Sequence, residues 1–125
     1  MTTSWEAWTY RTSAARTPEA SSIAGYEVHA IDGHIGKIDE SSDEVGASRV
    51  VVDTGPWIFG RKVVLPAGVI ERVDDAAQKV YVDLTKAEIR DAPDLDEGGT
   101  FDDTYRDRLT GYYGGLGRYA GLHHP

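Results

Sequence analysis

The chain has 125 residues, which suits one domain with tails, and 40% of them are hydrophobic, which allows a modest core. The formal net charge is −8, from 21 acidic and 13 basic residues, so the composition excludes the basic surface that binds nucleic acid or anionic membranes. There is no cysteine, which excludes disulfides, thiol catalysis and cysteine-ligated metals. No apolar run approaches the ~20 residues of a membrane helix, and no signal-peptide pattern opens the chain, so we expect a cytoplasmic protein.

Residues 1–22 are predicted to form an N-terminal arm. Trp5 and Trp8 are three residues apart, a spacing that places both on one face of a helix. A stretch rich in Ser, Thr, Ala and Pro follows without sustained periodicity. Exposed tryptophan pairs are costly in water and are enriched at contact sites, so we expect this pair to pack on the domain or on a neighbouring chain.

An alternating pattern begins at Ile23 and predicts a β-hairpin around Asp32-Gly33. Two registers are compatible with it. A two-residue loop would place His29, His34 and Ile38 on one face. A three-residue loop with Gly33 in a bulge would bury a more uniform set, and we prefer it for that reason. The residues buried in this second register are Val28, Ala30, Gly36 and Ile38.

Two valine-rich runs, residues 50–52 and 63–65, predict the buried central strands. The aromatic residues Trp57 and Phe59 lie between these runs, and Gly60 suggests a bulge or a sharp bend there. Such a bend between two long strands is what a small, closed sheet requires.

Two further segments, residues 69–73 and 79–84, complete a set of about six strands with turn signals at close spacing. The second segment alternates so that Val80, Val82 and Leu84 point inward. We therefore predict an all-β fold, a small closed or partly open barrel of about six strands, with short helical N- and C-terminal extensions.

The C-terminal part of the chain predicts two short helices. Thr85 and Glu88 have the spacing of a capping box, and Pro93 stops the helix that they open. Residues 94–125 are predicted to comprise an acidic linker, a helix from about 101 to 113 and a Gly-rich tail. Thr100 and Asp103 are the predicted capping box of this second helix. Residues 23–93 would then form the barrel domain.

No catalytic, cofactor-binding or metal-binding residue is predicted. His29 and His34 could share a face. A transition-metal site needs three or four converging ligands, however, and the sequence supplies no such set locally. The adjacent acid pairs, Asp39/Glu40 and Asp74/Asp75, would face opposite ways on a strand, so they do not converge as general acid and base. A six-stranded barrel also fills its interior with side chains. We therefore expect no enzyme, no metal and no cofactor.

Short motifs spread over residues 23–93 form a specific pattern: Gly25-x-x-Val28, Asp32-Gly33-x-x-Gly36-Lys37-Ile38, Val50–Asp53, Phe59-Gly60-x-Lys62, Leu65-Pro66, and Val82-x-Leu84-Thr85-Lys86-x-x-Ile89 before Ala92-Pro93. Together they resemble the PRC-barrel, a domain named for the cytoplasmic part of the photosynthetic reaction-centre H subunit. The tail, around residues 105–107 and 111–113, resembles free-standing PRC-barrel proteins of actinobacteria.

This resemblance implies a non-enzymatic protein-interaction module. Such domains serve in the reaction centre and at the C-terminus of a ribosome-maturation factor that engages a small-subunit protein. The chain departs from both, because it carries neither the membrane helix of the first nor the additional N-terminal β-domain of the second. We predict a self-associating module. The alternative is an adaptor in RNA metabolism or ribosome maturation that binds a basic protein, and a third possibility is a small-molecule-binding or enzymatic barrel.

The predicted partner is a protein, basic if it is charged, with no direct contact to nucleic acid or membrane. We expect a homodimer in which one or both arms cover a neighbouring barrel near its central bend. The alternative is that the arms fold back on their own barrel. The predicted interface residues are large apolar side chains of the two arms and the bend: Trp5, Trp8, Trp57, Phe59, Tyr105, Leu109, Tyr112 and Tyr113.

Overall fold

The computed structural model describes residues 7–11, 22–42, 48–55, 62–93 and 101–116. Six strands and two α-helices lie in these ranges: β1 (Glu27–Ala30), β2 (Gly33–Ser42), β3 (Arg49–Asp53), β4 (Lys62–Pro66), β5 (Ile70–Asp74), β6 (Lys79–Val82), α1 (Lys86–Arg90) and α2 (Asp103–Gly114). The strands form one sheet in the order β4-β3-β2-β1-β6-β5. Neighbouring strands are antiparallel except β1 and β6, which are parallel.

The sheet is curled, but it is not closed. β4 and β5 are its two edge strands, yet only a 3-10 helical turn, Ala67–Val69, separates them in sequence. Because a chain spans at most ~3.6 Å per residue, the two edges must lie near each other in space. Among the described residues no strand ladder joins them, so the sheet is a partly open barrel. The predicted fold class, all-β with about six strands and short helices, is confirmed.

The β1–β2 hairpin has a two-residue turn, Ile31-Asp32, so the three-residue loop preferred from the sequence is wrong. The backbone N–H of Ile31 donates to the carbonyl of Leu84 at 2.8 Å. The backbone N–H of Lys86 donates to the carboxylate of Asp32, also at 2.8 Å. These bonds attach the turn to the start of α1, and they hold both turn residues in place.

A bulge at Ile35, rather than at Gly33, explains the pattern of burial in this hairpin. Ile35 is the extra residue of β2 between the pairs Val28–Gly36 and His29–His34. A bulge of this kind shifts the register by one residue. His29 and His34 therefore pair with each other, as in the two-residue alternative, while the set predicted to be inward is buried: Val28, Ala30, Gly36 and Ile38.

The inner face of the sheet supplies most of the core. Buried residues alternate along β1, β3 and β6, as a strand with one buried face requires, and the predicted inward positions in β6 and after it are confirmed. β4 differs because Val63, Val64, Leu65 and Pro66 are all buried, which shows that both faces of this strand are covered. Burial of each large apolar side chain is worth about 1.5–3 kcal/mol relative to exposure.

α1 begins with the capping box that the sequence predicts. The Thr85 hydroxyl accepts a hydrogen bond from the Glu88 backbone N–H at 3.2 Å, and the Glu88 carboxylate accepts one from the Thr85 backbone N–H at 2.9 Å. Both bonds satisfy donors that the first helical turn leaves unpaired. Ile89 is the residue of α1 that enters the core.

The N-cap of α2 lies two residues after the predicted cap, Thr100. The Asp102 carboxylate accepts a hydrogen bond from the Tyr105 N–H at 2.8 Å, so Asp102 is the N-cap and Asp103 is the first helical residue. The predicted box of Thr100 with Asp103 is wrong because Asp102, nearer to the helix, supplies the side-chain acceptor instead. Thr100 itself lies outside the described residues. Leu109 and Tyr113 continue the buried stripe at four-residue intervals.

The described part of the N-terminal arm, residues 7–11, contains a turn and lies against the 3-10 turn that follows β4. The Gly68 N–H donates to the carbonyl of Ala7 at 2.7 Å, and the Arg11 Nε donates to the carbonyl of Gly68 at 2.8 Å. Arg11 also pairs with the carboxylate of Asp83 at 3.4 Å. Within the described ranges no helix is both long enough and apolar enough to cross a bilayer.

Candidate interaction surface

Five of the eight residues predicted to form an interface lie within the described part of the chain, and they pack in its own core. Four are buried, namely Trp8, Tyr105, Leu109 and Tyr113, and Tyr112 is half-buried against them. The other three residues, Trp5, Trp57 and Phe59, lie outside the described residues, as does Gly60.

Trp8 holds the N-terminal arm against α2 and the residue Phe101 that precedes it. The indole N–H of Trp8 donates to the hydroxyl of Thr110 at 2.7 Å, across 102 positions of sequence. The ring of Phe101 meets that of Trp8 edge to face, with centroids 5.4 Å apart, and meets that of Tyr105 at 6.0 Å. The guanidinium of Arg49 lies 4.0 Å from the centroid of the Phe101 ring. Because Arg49 faces outward from β3, this cluster covers part of the outer face of the sheet.

α2 is also hydrogen-bonded to the segment around α1. The Tyr112 hydroxyl donates to the carbonyl of Glu88 at 2.6 Å, and the Tyr105 hydroxyl donates to the carbonyl of Pro93 at 3.1 Å. Burial, followed by the negative charges of Asp91 and Glu88, raises the pKa of Tyr112 above its ordinary value. This hydroxyl therefore remains a donor at neutral pH.

These five side chains follow the alternative prediction, in which the arms fold back on their own barrel. The same chain already covers their apolar surface. Self-association through the arms stays a prediction. Two rows of exposed or half-exposed polar side chains lie on the outer face of the sheet.

The first row, here the charge row, crosses all six strands with alternating sign. Its members are direct cross-strand neighbours in the order Lys62, Asp53, Lys37, Glu27, Lys79 and Asp74. All six side chains are exposed or half-exposed. Opposite charges at facing positions stabilise strand pairing by about 0.2–1 kcal/mol each, so the row favours this strand order and register.

The second row, here the ring row, lies two residues further along the strands and contains Arg72, Tyr81, His29 and His34. The Arg72 guanidinium lies 4.0 Å from the centroid of the Tyr81 ring. The centroids of Tyr81 and His29 are 5.6 Å apart, and those of His29 and His34 are 5.2 Å apart. Four planar groups thus follow one another across four strands.

Glu27 connects the two rows. Its carboxylate oxygen lies 3.2 Å from Nε2 of His29 and 3.9 Å from Nε2 of His34. In the part of the chain that the structure describes, no three His, Asp or Glu side chains are arranged to hold a metal ion. The two imidazoles and the carboxylate are each partly exposed, so they can make polar and stacking contacts with another molecule.

At the β4 end of the charge row, a bulge in β2 places an additional carboxylate beside Lys62. Asp39 is the unpaired residue between the pairs at Ile38 and Glu40. Its carboxylate accepts a hydrogen bond from the Lys62 ammonium at 2.9 Å. This bond, then the charge of the same carboxylate and, more weakly, those of Asp53 and Glu40, raises the pKa of Lys62. The pair is exposed, so it contributes more to local charge distribution than to stability.

The sequence indicates the outward residues of β1 and β6 but not how the two rows align. The alternation in β1 and β6 predicts that Glu27, His29, Lys79 and Tyr81 face outward. Their proximity depends on the parallel pairing of β1 with β6, which joins segments about fifty residues apart and has no local sequence signal. The charges at facing positions were the available hint, since opposite signs favour pairing.

No protein-family model matches the chain. No curated protein matches it either. Among solved structures, the chain is similar to the crystal structure of a putative 16S ribosomal RNA processing protein, RimM, from Pseudomonas aeruginosa, with 20% sequence identity and a TM-score of 0.47. The match covers 58% of this chain and 48% of that one, so the chain spans about half the length of the structure it matches. This similarity assigns neither a family nor an activity to the chain.

Proposed function

We propose that this chain is a non-enzymatic adaptor of the PRC-barrel type that binds a basic protein. The observation that carries this proposal is the sign of the exposed surface. Among the described residues, exposed carboxylates outnumber exposed cationic side chains. The carboxylates are Asp32, Asp39, Glu40, Asp53, Glu71, Asp75, Asp91, Asp102, Asp103 and Asp107, and the cationic side chains are Lys37, Lys62, Arg72, Arg90 and Arg108.

Such a surface attracts a basic protein and repels nucleic acid. Excess negative charge raises the local concentration of a positively charged partner and speeds its association. Binding to RNA would instead require basic side chains that displace counterions from phosphates, which a net charge of −8 opposes. The charge of the surface therefore supports contact with a basic protein rather than with RNA.

Ribosome maturation, or another step of RNA metabolism in the cytoplasm, is the setting that we propose. It comes from the PRC-barrel resemblance, which includes the C-terminal domain of a ribosome-maturation factor that engages a small-subunit protein. Ribosomal proteins are basic as a class, so they match the charge of the surface described above. The adaptor would supply binding and orientation, without any chemical step.

Purified small-subunit ribosomal proteins provide the test. Each is passed over the immobilised full chain in a surface plasmon resonance experiment, with lysozyme as an unrelated basic protein. We expect one ribosomal protein to bind more tightly than lysozyme and to associate more slowly as salt increases, because salt screens exposed charges. At a given salt concentration, the double variant Glu40→Lys/Asp107→Lys should associate more slowly than the wild type, because two exposed negative charges become positive.

The charge-conserving substitution Arg108→Lys should leave these rates unchanged and is the matched control. Two outcomes contradict the proposal. One is that no small-subunit protein binds more tightly than lysozyme. The other is that protein-free 16S ribosomal RNA binds more tightly than every protein tested.

A further inference from the structure

The described part of the N-terminal arm, residues 7–11, contacts the rest of the chain as a short peptide contacts a binding site. Its partners come from β3, the 3-10 turn, the end of β6 and α2, and all of them are distant in sequence. They are Ser48, Gly68, Asp83, Phe101 and Thr110, here called the arm site.

Backbone groups form one part of the arm site, with Gly68 at its centre. The Gly68 N–H donates to the carbonyl of Ala7 at 2.7 Å. A second bond runs from the Ser48 N–H to the carbonyl of Trp8 at 3.2 Å. Both bonds use only carbonyl groups of the arm, which every peptide segment carries. Selectivity for one segment over another therefore has to come from side chains.

Two side chains of the arm, three positions apart, supply that selectivity. The Trp8 ring meets Phe101 edge to face and donates its indole N–H to Thr110. The Arg11 guanidinium donates from Nε to the carbonyl of Gly68 at 2.8 Å and from a terminal nitrogen to Asp83 at 3.4 Å. A planar fork of donors can span two separate acceptors, which a lysine ammonium does less well. The arm site thus selects an aromatic residue followed three positions later by arginine.

We propose that the arm site binds an aromatic-x-x-arginine segment of the basic partner protein, and that the chain's own arm competes for the same site. This inference rests on the adaptor function proposed above and identifies the surface on which the partner binds. An arginine-bearing segment matches both Asp83 and the net charge of −8. The incoming segment replaces the contacts of the arm, so no buried surface is left uncovered.

The connection between the arm and the barrel determines how strong this competition is. Residues 12–21 join the two in sequence. A tether of this length gives the arm an effective concentration in roughly the millimolar range at its own site. A free segment with the same contacts must exceed that concentration, whereas a partner with additional contacts displaces the arm at lower concentration. The arm therefore acts as an inhibitor of weak partners.

The competing explanation is that the arm is a permanent part of the core. Trp8 is largely buried, so both explanations expect it to stabilise the chain. They differ in whether a second segment of the same chemistry can replace the arm while the protein stays folded. A synthetic peptide with the sequence of residues 1–12 is the probe for this exchange. The same peptide with Trp8→Ala and Arg11→Glu is the matched control.

Nuclear magnetic resonance of the ¹⁵N-labelled full chain detects the exchange directly. Several millimolar unlabelled peptide should move the Trp8 indole N–H signal towards that of an exposed indole. The Gly68 amide signal should remain at its hydrogen-bonded position, because the peptide supplies an equivalent carbonyl. The control peptide should move neither signal. A Trp8 signal that does not respond overturns the proposal, and so does an equal response to the control peptide.

Weakening the arm's own attachment should make the site more available. Arg11→Glu places a second carboxylate beside Asp83, so this variant should bind the labelled peptide at least about tenfold more tightly than the wild type in fluorescence polarisation. Arg108→Glu, at an exposed position of α2, changes the net charge equally and should leave the affinity within about twofold of the wild type. Circular dichroism confirms that both variants are folded, and equal affinities of the two variants overturn the proposal. If Arg11→Glu does not fold, the exchange measured on the wild type decides.

A small-subunit ribosomal protein that binds the full chain separates this inference from the adaptor function. If that protein uses the arm site, it should bind Arg11→Glu at least about tenfold more tightly than Arg108→Glu. Equal binding to the two variants would overturn the arm-site assignment and leave the adaptor function standing. Peptide exchange in the absence of any ribosomal protein that binds would contradict the adaptor function and support recognition of the segment.

Discussion

Gly36 of β2 lies so close to the backbone of Asp53 in β3 that a Cβ on Gly36 would overlap the Asp53 carbonyl oxygen. The same Cβ would lie 2.9 Å from the carbonyl carbon of Asp53 and 2.9 Å from the Cα of Thr54. All three of these atoms belong to the backbone, so no side chain can rotate away to make room. Glycine at this position allows β2 and β3 to approach each other where the sheet curls.

We therefore expect Gly36→Ala to lower the free energy of unfolding by about 3 kcal/mol, the upper part of the range for overpacked sites. Gly111→Ala is the matched control, because Gly111 is exposed in α2 with nothing within 4 Å of its would-be Cβ. That change should stabilise the protein by about 0.5–1 kcal/mol through helix propensity. Urea unfolding measures both, and equal effects of the two substitutions would contradict the close approach.

Gly33 provides a different test, because its cost comes from backbone conformation. Its φ is +143°, and a side chain there would meet only the flexible side chain of Lys86, at 3.8 Å. A β-branched residue adopts such a φ only with strain, so Gly33→Val should destabilise the protein by roughly 1–3 kcal/mol. Thermal unfolding with no loss of stability would show that the hairpin turn is wrongly assigned.

The bond between Trp8 and Thr110 should measure how strongly the N-terminal arm is attached. Thr110→Val keeps the shape of the side chain and removes the acceptor for the indole N–H, so we expect a loss of about 1 kcal/mol. Trp8→Ala also removes a largely buried ring and should cost about 3–5 kcal/mol. A double-mutant cycle of Trp8→Phe with Thr110→Val should give a coupling energy of at least ~0.5 kcal/mol.

Thr104→Val, at an exposed position of the same helix, controls for the helix propensity of valine in that cycle. Additive effects of Trp8→Phe and Thr110→Val would mean that this hydrogen bond does not contribute measurably to holding the arm. The ring contact with Phe101 and the bonds of Ala7 and Arg11 to Gly68 would then account for its position.

The raised pKa of Tyr112 leads us to expect a loss of stability at alkaline pH. Its pKa is raised in the folded chain, so above the ordinary value near 10 the unfolded chain loses this proton first. The stability that this group contributes is therefore fully present below that pH, and it is lost as the pH rises through the folded pKa. Chemical unfolding between neutral and alkaline pH should show a shallower decline for Tyr112→Phe than for the wild type. An identical slope would indicate that Tyr112 titrates normally.

Local chemistry made much of the fold predictable. The valine runs of β3 and β4 marked buried strands because continuous apolar, β-branched segments need two covered faces or a shared core. The Thr85 capping box marked the start of α1 to the residue, because both of its hydrogen bonds lie within four positions. The cap of α2 was displaced by two residues, from Thr100 to Asp102, because both residue types are good N-caps and the sequence pattern does not distinguish them.

Nonlocal geometry limited the prediction of the interaction surface. Tyr105, Leu109 and Tyr113 were expected to cover a neighbouring barrel, yet they lie in the core of their own chain. A stripe on a helix shows that something covers it, but not which molecule does. For the same reason a chain ending at Pro93 would lose part of its core, so the oligomeric state has to be measured on the full chain.

The parallel pairing of β1 with β6 also determines when the sheet can form during folding. The ladder from β1 to β4 connects strands that follow one another, and β5 with β6 is a local hairpin. Among the described strands, the ladder that joins the two parts is the one between Glu27–His29 and Lys79–Tyr81, and it closes a loop of about fifty residues. Loop closure of that length costs entropy before it yields contacts, so it slows the rate-limiting step. The two halves would collapse early, and their joining would be the event at which the protein acquires its cooperative stability.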